Sequence, residues 1–213
     1  MKNFSFLFIL TFLVSSCASS YVSDQSISKP ENAYHHILVL SLFNDFNLKK
    51  FDEETYDASI KDHFYNLNRI DNHPIIQESI RDMLSSNRTK VIPTYKLFKV
   101  NQEVSYKVFL ETIDKKGVDA ILVINQRNYF YDKSERILED GEIRVTESPN
   151  AVFNTYLVDR KDLEPVWLSR IYSSGSSLDT HSSMYNSMGR KLNKKLIKSG
   201  YIRRPLNTHS VRR

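Results

Sequence analysis

A single cysteine in 213 residues leaves this chain without an intramolecular disulfide and without a Cys-based zinc cage. Its five glycines, at 117, 141, 175, 189 and 200, form no GxGxxG turn and no Walker loop, so nucleotide cofactors have no motif to hold them. Six prolines are too few for a proline-rich or collagen-like chain. His35, His36, His63, His73, His181 and His209 include no i, i+4 pair and no HExxH, the spacings that put two ligands on one helical face. Serine is plentiful, yet there is no GxSxG elbow and no SxxK in a convincing setting, so acyl transfer is unsupported. The acidic clusters Asp52-Glu53-Glu54 and Glu139-Asp140 read as a helix start and a solvated turn rather than a catalytic carboxylate pair. The expectation is a protein with no catalytic residues, no cofactor and no metal.

What is present is ordinary for a folded protein: 40% hydrophobic residues, 26% charged, and Lys+Arg 30 against Asp+Glu 25. The length suits one domain with a sizeable core. Residues 1–16 stand apart from it. Lys2 supplies a positive start, Phe4 to Val14 is almost unbroken in apolar character, and small residues follow, the pattern of a secretory signal peptide. The run is roughly half the ~20 apolar residues that a spanning helix needs.

Leu13-Val14-Ser15-Ser16-Cys17 resembles the lipobox of bacterial lipoproteins, in which the cysteine thiol takes a diacylglyceryl group and becomes the mature N-terminus. The resemblance implies lipidation of Cys17 and a membrane anchor made by that lipid. A cut after Ala18, using Ser16-Cys17-Ala18 as a small-x-small site, is the other reading and would discard Cys17. Ala18 and Ser19 stand where inner-membrane lipoproteins of enterobacterial type carry Asp, so the resemblance implies an outer-membrane anchor facing the periplasm. Residues 17–34, with five serines and Pro30, read as a lipidated flexible tether.

Residues 35–203 carry the periodic patterns of one domain. His36 to Phe43 is an apolar run suited to a buried strand. Tyr56, Ile60, Phe64 and Leu67 recur at helical spacing, and Ile76, Ile80, Met83 and Leu84 line a helix opened by Asn72-His73-Pro74. Val91 to Val100 reads as a strand. Ser105 caps a helix with a stripe of Val108, Phe109 and Ile113, closed by Gly117. Val118 to Ile124 is a second buried strand running on through Tyr131, Asp140-Gly141 signals a tight hairpin, and Val152–Asp159 with Val166–Ser173 make a further hairpin. Ser173 to Ser177 reads as a flexible loop. A last helix from about Ser182 puts Met184, Met188, Leu192 and Leu196 on one face and stops at Gly200. The order predicts an α/β fold, a single mixed β-sheet flanked by helices.

After Asp179 the chain has no acid. Arg190, Lys191, Lys194, Lys195 and Lys198 fall on the last helix and are candidate partner contacts, with a basic tail at 204–213 beyond them. For a chain exported through a membrane, nucleic acid is not the expected partner of such a patch; an envelope protein or an anionic surface is, and the plainer reading is a solvated helix face with a frayed tail. Trp167, Tyr129, Phe130 and Tyr131 are read as core aromatics.

Across roughly residues 36–175 the chain resembles the envelope lipoproteins related to the curli secretion protein CsgG and the synthase activator LpoB. The pieces that carry the likeness are Ile37-Leu38-Val39-Leu40-Ser41-Leu42, Gly117-Val118-Asp119-Ala120-Ile121-Leu122-Val123-Ile124, and Val158-Asp159 followed by Pro165-Val166-Trp167. The resemblance implies a mixed sheet, no cofactor, and work done through protein contacts in the periplasm. A membrane-inserting hairpin is disfavoured by the charges crowded between Asp132 and Glu147. The expected function is thus a non-enzymatic, lipid-anchored accessory or assembly protein of the bacterial envelope. The alternative is a periplasmic lipoprotein binding a small ligand or glycan in a pocket beside Trp167.

Overall fold

A computed structural model describes residues 18–43, 47–65, 72–99, 102–175 and 181–206. Six strands form one mixed sheet: β1 (Ser19–Ser26), β2 (His36–Leu42), β3 (Lys90–Pro93), β4 (Ala120–Ile137), β5 (Ile143–Asp159) and β6 (Pro165–Ser174), in the spatial order β1-β6-β5-β4-β2-β3. β2 is parallel to both β3 and β4, while β4, β5, β6 and β1 are antiparallel in turn. Five helices among the described residues accompany them: α1 (Glu53–Ser59), α2 (Lys61–Tyr65), α3 (Asn72–Leu84), α4 (Tyr106–Asp114) and α5 (His181–Lys198). The predicted α/β fold with a single mixed sheet is the one observed.

Alternation along the strands divides the core into two layers. Ile37, Val39, Leu122, Ile124, Phe153, Trp167 and Ile171 face α3 and α5, where Ile76, Ile80, Met184, Met188, Leu192 and Leu196 meet them. Leu38, Leu40, Ile121, Val123 and Val158 face the opposite way, onto Tyr56, Phe64, Phe109 and Ile113 of α1, α2 and α4 and onto Ile60 between α1 and α2. Each such side chain, fully buried, contributes about 1.5–3 kcal/mol of transfer free energy. Of the polar groups enclosed with them, Thr89 Oγ1 has no hydrogen-bond partner among the described residues, while others are paired. Gln77 Nε2 donates to Ser41 Oγ at 2.9 Å and Thr94 Oγ1 donates to Gln77 Oε1 at 3.0 Å, joining α3 to the sheet.

Local chemistry explains most boundaries. Asp52 caps α1, its Oδ1 accepting from Thr55 N at 2.9 Å, and this hydrogen bond holds its carboxyl below the usual range. Ser105 caps α4 through Val108 N. Gly200 takes φ +83° at the end of α5, where Tyr201 N returns to Leu196 O at 3.0 Å.

Several expectations are corrected. Residues 19–26, read as part of a flexible tether, form β1 because their backbone completes the edge of β6 from Ser19↔Ser174 to Ser26↔Trp167. Val22 supplies the only apolar side chain that β1 gives to the core, which is why alternation did not reveal it. The strand read over Val91 to Val100 ends at Pro93, whose nitrogen has no proton to continue the ladder, and Thr94–Lys96 turns as a 3-10 helix. Val108, placed on the buried stripe of α4, is 49% exposed; Phe109 and Ile113 fill that layer. Ser174, read as loop, ends β6. Asp140-Gly141 lies in a five-residue loop, 138–142, rather than a two-residue turn, and Gly141 takes φ +83°. The signal peptide, Cys17, Leu67 and residues 207–213 of the tail lie outside the described residues.

Candidate functional site

The carboxylates at the sheet's lower end are occupied in building it. Asp119 accepts from the backbone nitrogens of His35 and His36 at 2.7 and 3.0 Å, fixing the entry to β2. Asp159 accepts from Tyr34 Oη at 2.6 Å and from Lys161 N at 2.7 Å. Burial, then the Asp159 carboxylate, push the Tyr34 hydroxyl strongly upward, so it stays protonated and donating. These groups border an open cleft of about 640 Å³ with Lys29, Glu31 and Arg160 on its rim. Arg160 is itself held by Asp114 at 2.8 and 2.9 Å.

Among the described residues no three His, Cys, Asp or Glu side chains gather as a metal site. His35 Nδ1 lies 3.0 Å from Arg88 O, and His63 on α2 is half-buried, its imidazole pushed down to about 4 by burial. Trp167 is 0% exposed, its Nε1 donating to Asp24 Oδ2 at 3.3 Å, so the pocket expected beside it has no opening at the ring. Tyr129 packs on the core edge as expected, whereas Tyr131 is 49% exposed and joined to it edge-on.

The basic residues of α5 are brought together in part. Arg190, Lys191, Lys194 and Lys198 are exposed, with 190, 194 and 198 successive turns of one stripe. Lys195 departs from them: its Nζ is 2.5 Å from Asp24 Oδ1 of β1, a half-buried pair that ties α5 to the edge strand. The same helix holds the start of β1, where Ser187 Oγ donates to Ala18 O at 3.1 Å.

Sequence reasoning missed a second polar surface, on the face of the sheet away from α5. There α1, α2 and α4 cover β2, β4 and the lower part of β5, leaving the β6–β1 side open. A recess of about 440 Å³ is lined by Asn47, Arg127, Asn128, Val152, Asn154 and Arg170. Two adjacent residues, Arg127 and Asn128, line it together because β4 shifts register between Gln126 and Asn128, a bulge that suspends strict alternation. Arg127 Nη1 lies 3.4 Å from Asn47 Oδ1, and Tyr156 Oη lies 3.4 Å from the same atom. The signal was legible: Asn125-Gln126-Arg127-Asn128 is a polar run between the apolar stretches Ala120–Ile124 and Tyr129–Tyr131.

No helix among the described residues is long and apolar enough to cross a membrane. No protein-family model matches the chain, and no curated protein matches it. Among solved structures, a PelC dodecamer from Paraburkholderia phytofirmans is similar at 15% identity and a TM-score of 0.41, over 86% of this chain and 99% of that one. A putative neuraminyllactose-binding hemagglutinin homolog from Helicobacter pylori is similar at 12% identity and a TM-score of 0.38, over 81% and 90%. The lipoprotein GNA1162 from Neisseria meningitidis is similar at 15% identity and a TM-score of 0.34, over 77% of this chain and 99% of that one. The neighbours therefore include a lipoprotein.

Proposed function

We propose that this chain is a lipid-anchored accessory protein of a bacterial cell envelope, held at the outer membrane through Cys17 and acting by contact with an envelope protein rather than by catalysis. The observation that carries the reading is the position of the cysteine. It closes a lipobox-like segment, and β1 begins two residues later, with Ala18 O already bonded to α5. A lipid on Cys17 would hold the edge of the sheet against the membrane surface, not at the end of a long tether. Stable attachment follows from acyl burial, at about 0.8 kcal/mol for each CH₂.

In that arrangement the exposed stripe of α5 runs away from the anchor, reaching Lys198 about 16 Å beyond Ser187 at 1.5 Å per residue. Arg190, Lys191, Lys194 and Lys198 are placed to steer an acidic partner, the role that rim charges perform through association rate. The resemblance to the CsgG- and LpoB-related lipoproteins supports the same class of work.

The test is intact-mass analysis of the membrane-extracted protein together with fractionation of Cys17→Ala. The reading expects a diacylglyceryl mass on Cys17 and release of the variant into the soluble envelope fraction. An unmodified N-terminus at Ser19 would overturn it.

A further inference from the structure

We propose that the β1–β6 corner of the uncovered sheet face is a membrane-contact surface, with Tyr21 and Tyr172 seated in the headgroup layer of the bilayer that holds Cys17 and with Arg136 and Arg144 over its phosphates. The inference rests on the lipid at Cys17 and adds to it the side that the domain turns to the membrane.

The anchor's reach limits how the domain can sit. Cys17 is two residues from Ser19, where β1 begins, so their Cα atoms lie within about 7 Å of each other. Ser19 pairs with Ser174, Ser174 with Asn150, and Asn150 with Phe130, which puts the anchor level with the root of the β4–β5 hairpin. Beyond that level the hairpin continues from Tyr131↔Pro149 to Ile137↔Ile143, about 23 Å at 3.3 Å per residue. An end-on approach of the sheet would drive the hairpin tip, with Glu139, Asp140 and Glu142, into hydrocarbon, where charge is strongly disfavoured. The domain therefore meets the bilayer side-on, with the hairpin lying along the surface. On one side of this corner stands α5, where Ser187 bonds to Ala18 and Ser20. The other side is bare.

That bare side suits a membrane interface. Ser19, Tyr21, Ser23 and Gln25 of β1 alternate onto it, opposite to Val22, and none of them is acidic. Tyr21 is 72% exposed, and Tyr172, directly across from it on β6, is 39% exposed. Tyr172 is oriented, its Oη donating to Asn150 Oδ1 at 2.7 Å and its ring centroid 6.5 Å from that of Phe130. Tyrosine, apolar in its ring and polar at its tip, is favoured where hydrocarbon gives way to water. Beyond Phe130, alternation puts Asp132, Ser134 and Arg136 on the same side of the ladder, with Arg144 directly opposite Arg136. Asp132 is engaged, its Oδ2 accepting from Asn150 Nδ2 at 2.9 Å. Arg136 and Arg144 are exposed, and neither makes an ion pair with another described residue. Like charges facing each other across a ladder repel, and lipid phosphates beneath them relieve that repulsion.

The test places the full-length lipidated protein, its acylation checked by intact mass, in vesicles of phosphatidylethanolamine and phosphatidylglycerol, with single introduced tryptophans as depth probes. Wild type supplies the background, because Trp167 is 0% exposed. Tyr21→Trp and Tyr172→Trp are expected to be quenched severalfold more than Lys194→Trp on α5 by lipids brominated near the headgroup. Aqueous acrylamide should quench them severalfold less than it quenches the same substitutions in the unlipidated Cys17→Ala chain. Ser134→Trp should share this protection and lose it when Arg136 and Arg144 are both changed to Gln, or as NaCl is raised. Off the membrane the hairpin is solvated on both sides, so the double arginine variant should melt no lower than wild type. A confirmed lipid with Tyr21→Trp and Tyr172→Trp as open to acrylamide as in the unlipidated chain would overturn the contact surface and leave the anchor standing. Protection of Lys194→Trp instead would put α5 against the bilayer and overturn it equally. Protected tyrosine positions with Ser134→Trp still in water would overturn the role of the arginines. No lipid mass on Cys17 would overturn the anchor and this surface with it.

Discussion

β4 is two different strands joined end to end. Its first seven residues, 120–126, are all buried, and its last seven, 131–137, are all exposed, although one antiparallel ladder with β5 runs the whole way from Ala120↔Asp159 to Ile137↔Ile143. Backbone pairing is common to both halves, so it is not what distinguishes them. The inner half is covered by helices on both sides; the outer half is a hairpin arm with solvent on both. Because a hydrogen bond contributes only about 0.5–1.5 kcal/mol net, and an isolated two-stranded hairpin is marginal in water, the arm is held by its continuity with the covered half. Stability should therefore change steeply along a single strand.

The largest effect is expected at the centre of the covered half. Leu122 is fully buried between β2 and β5, paired with Val39 and Leu157, in the layer that meets α3 and α5. Leu122→Ala should lower unfolding free energy by about 2–5 kcal/mol, combining lost transfer energy with the cavity left behind. Urea denaturation measures it. A value near zero would mean that the inner and outer halves of β4 do not differ in the way their burial implies.

Next is the polar junction under α3. Gln77→Leu removes the acceptor used by Thr94 Oγ1 and the donor used by Ser41 Oγ, all three residues being buried. A buried hydroxyl deprived of its acceptor, here Thr94 Oγ1, costs about 1–3 kcal/mol, so the variant should lose roughly that much despite its similar shape. Combining it with Thr94→Val should recover part of the loss, since the second change removes one stranded hydroxyl. If the double variant is no better than the single one, packing rather than pairing governs the site.

Acid sensitivity should also belong to the covered body. Burial holds the His63 imidazole near 4 in the folded state, against an ordinary value of 6.5. The unfolded chain therefore takes up the proton first. Stability from this group is complete above about pH 6.5, declines as pH falls towards 4, and is flat below that. The loss should be roughly 1–3 kcal/mol, reduced from the full shift because the side chain is only half-buried. His63→Gln should flatten the decline between pH 6.5 and 4.5, as read from urea midpoints across that range. An unchanged slope would locate the acid response elsewhere.

What the sequence made legible follows the same division. Where a side chain is buried, its apolar periodicity announced the element: His36–Leu42, Ile76 and Ile80 of α3, and Met184 to Leu196 of α5 were readable in this way. Caps and closures, such as Ser105 and Gly200, were readable because their chemistry is local. β1 was not, because an edge strand of serines with one buried valine satisfies its backbone through a partner 153 residues away, as Ser20 does with Ser173. Of the candidate site residues, the basic face of α5 could be read from charge alone, yet the removal of Lys195 into a pair with Asp24 depended on that same hidden strand. The Arg127–Arg170 recess required the bulge and the register of three strands, which periodicity does not encode.

The smallest effect is expected at the tip of the arm, and it is the sharpest test of the comparison. Ile137 and Ile143 face each other directly across the ladder, 73% and 61% exposed, with Val145 on the same face two pairs further in. Elsewhere in the chain a facing pair of isoleucines would be core, and replacing both with serine would cost several kcal/mol. Here no layer covers them, so the transfer term is nearly absent, and only a cross-strand contact of about 0.2–1 kcal/mol is lost. Ile137→Ser combined with Ile143→Ser should therefore change global unfolding by less than about 0.5 kcal/mol, because the arm opens before the body does. Amide hydrogen exchange should separate the two regions in the same sample: faster exchange at residues 133–137 of the variant, with protection at 120–126 unchanged. A large drop in global stability would show that these isoleucines are buried in solution, which requires a covering surface, and the arm would then be part of an interface rather than a free projection.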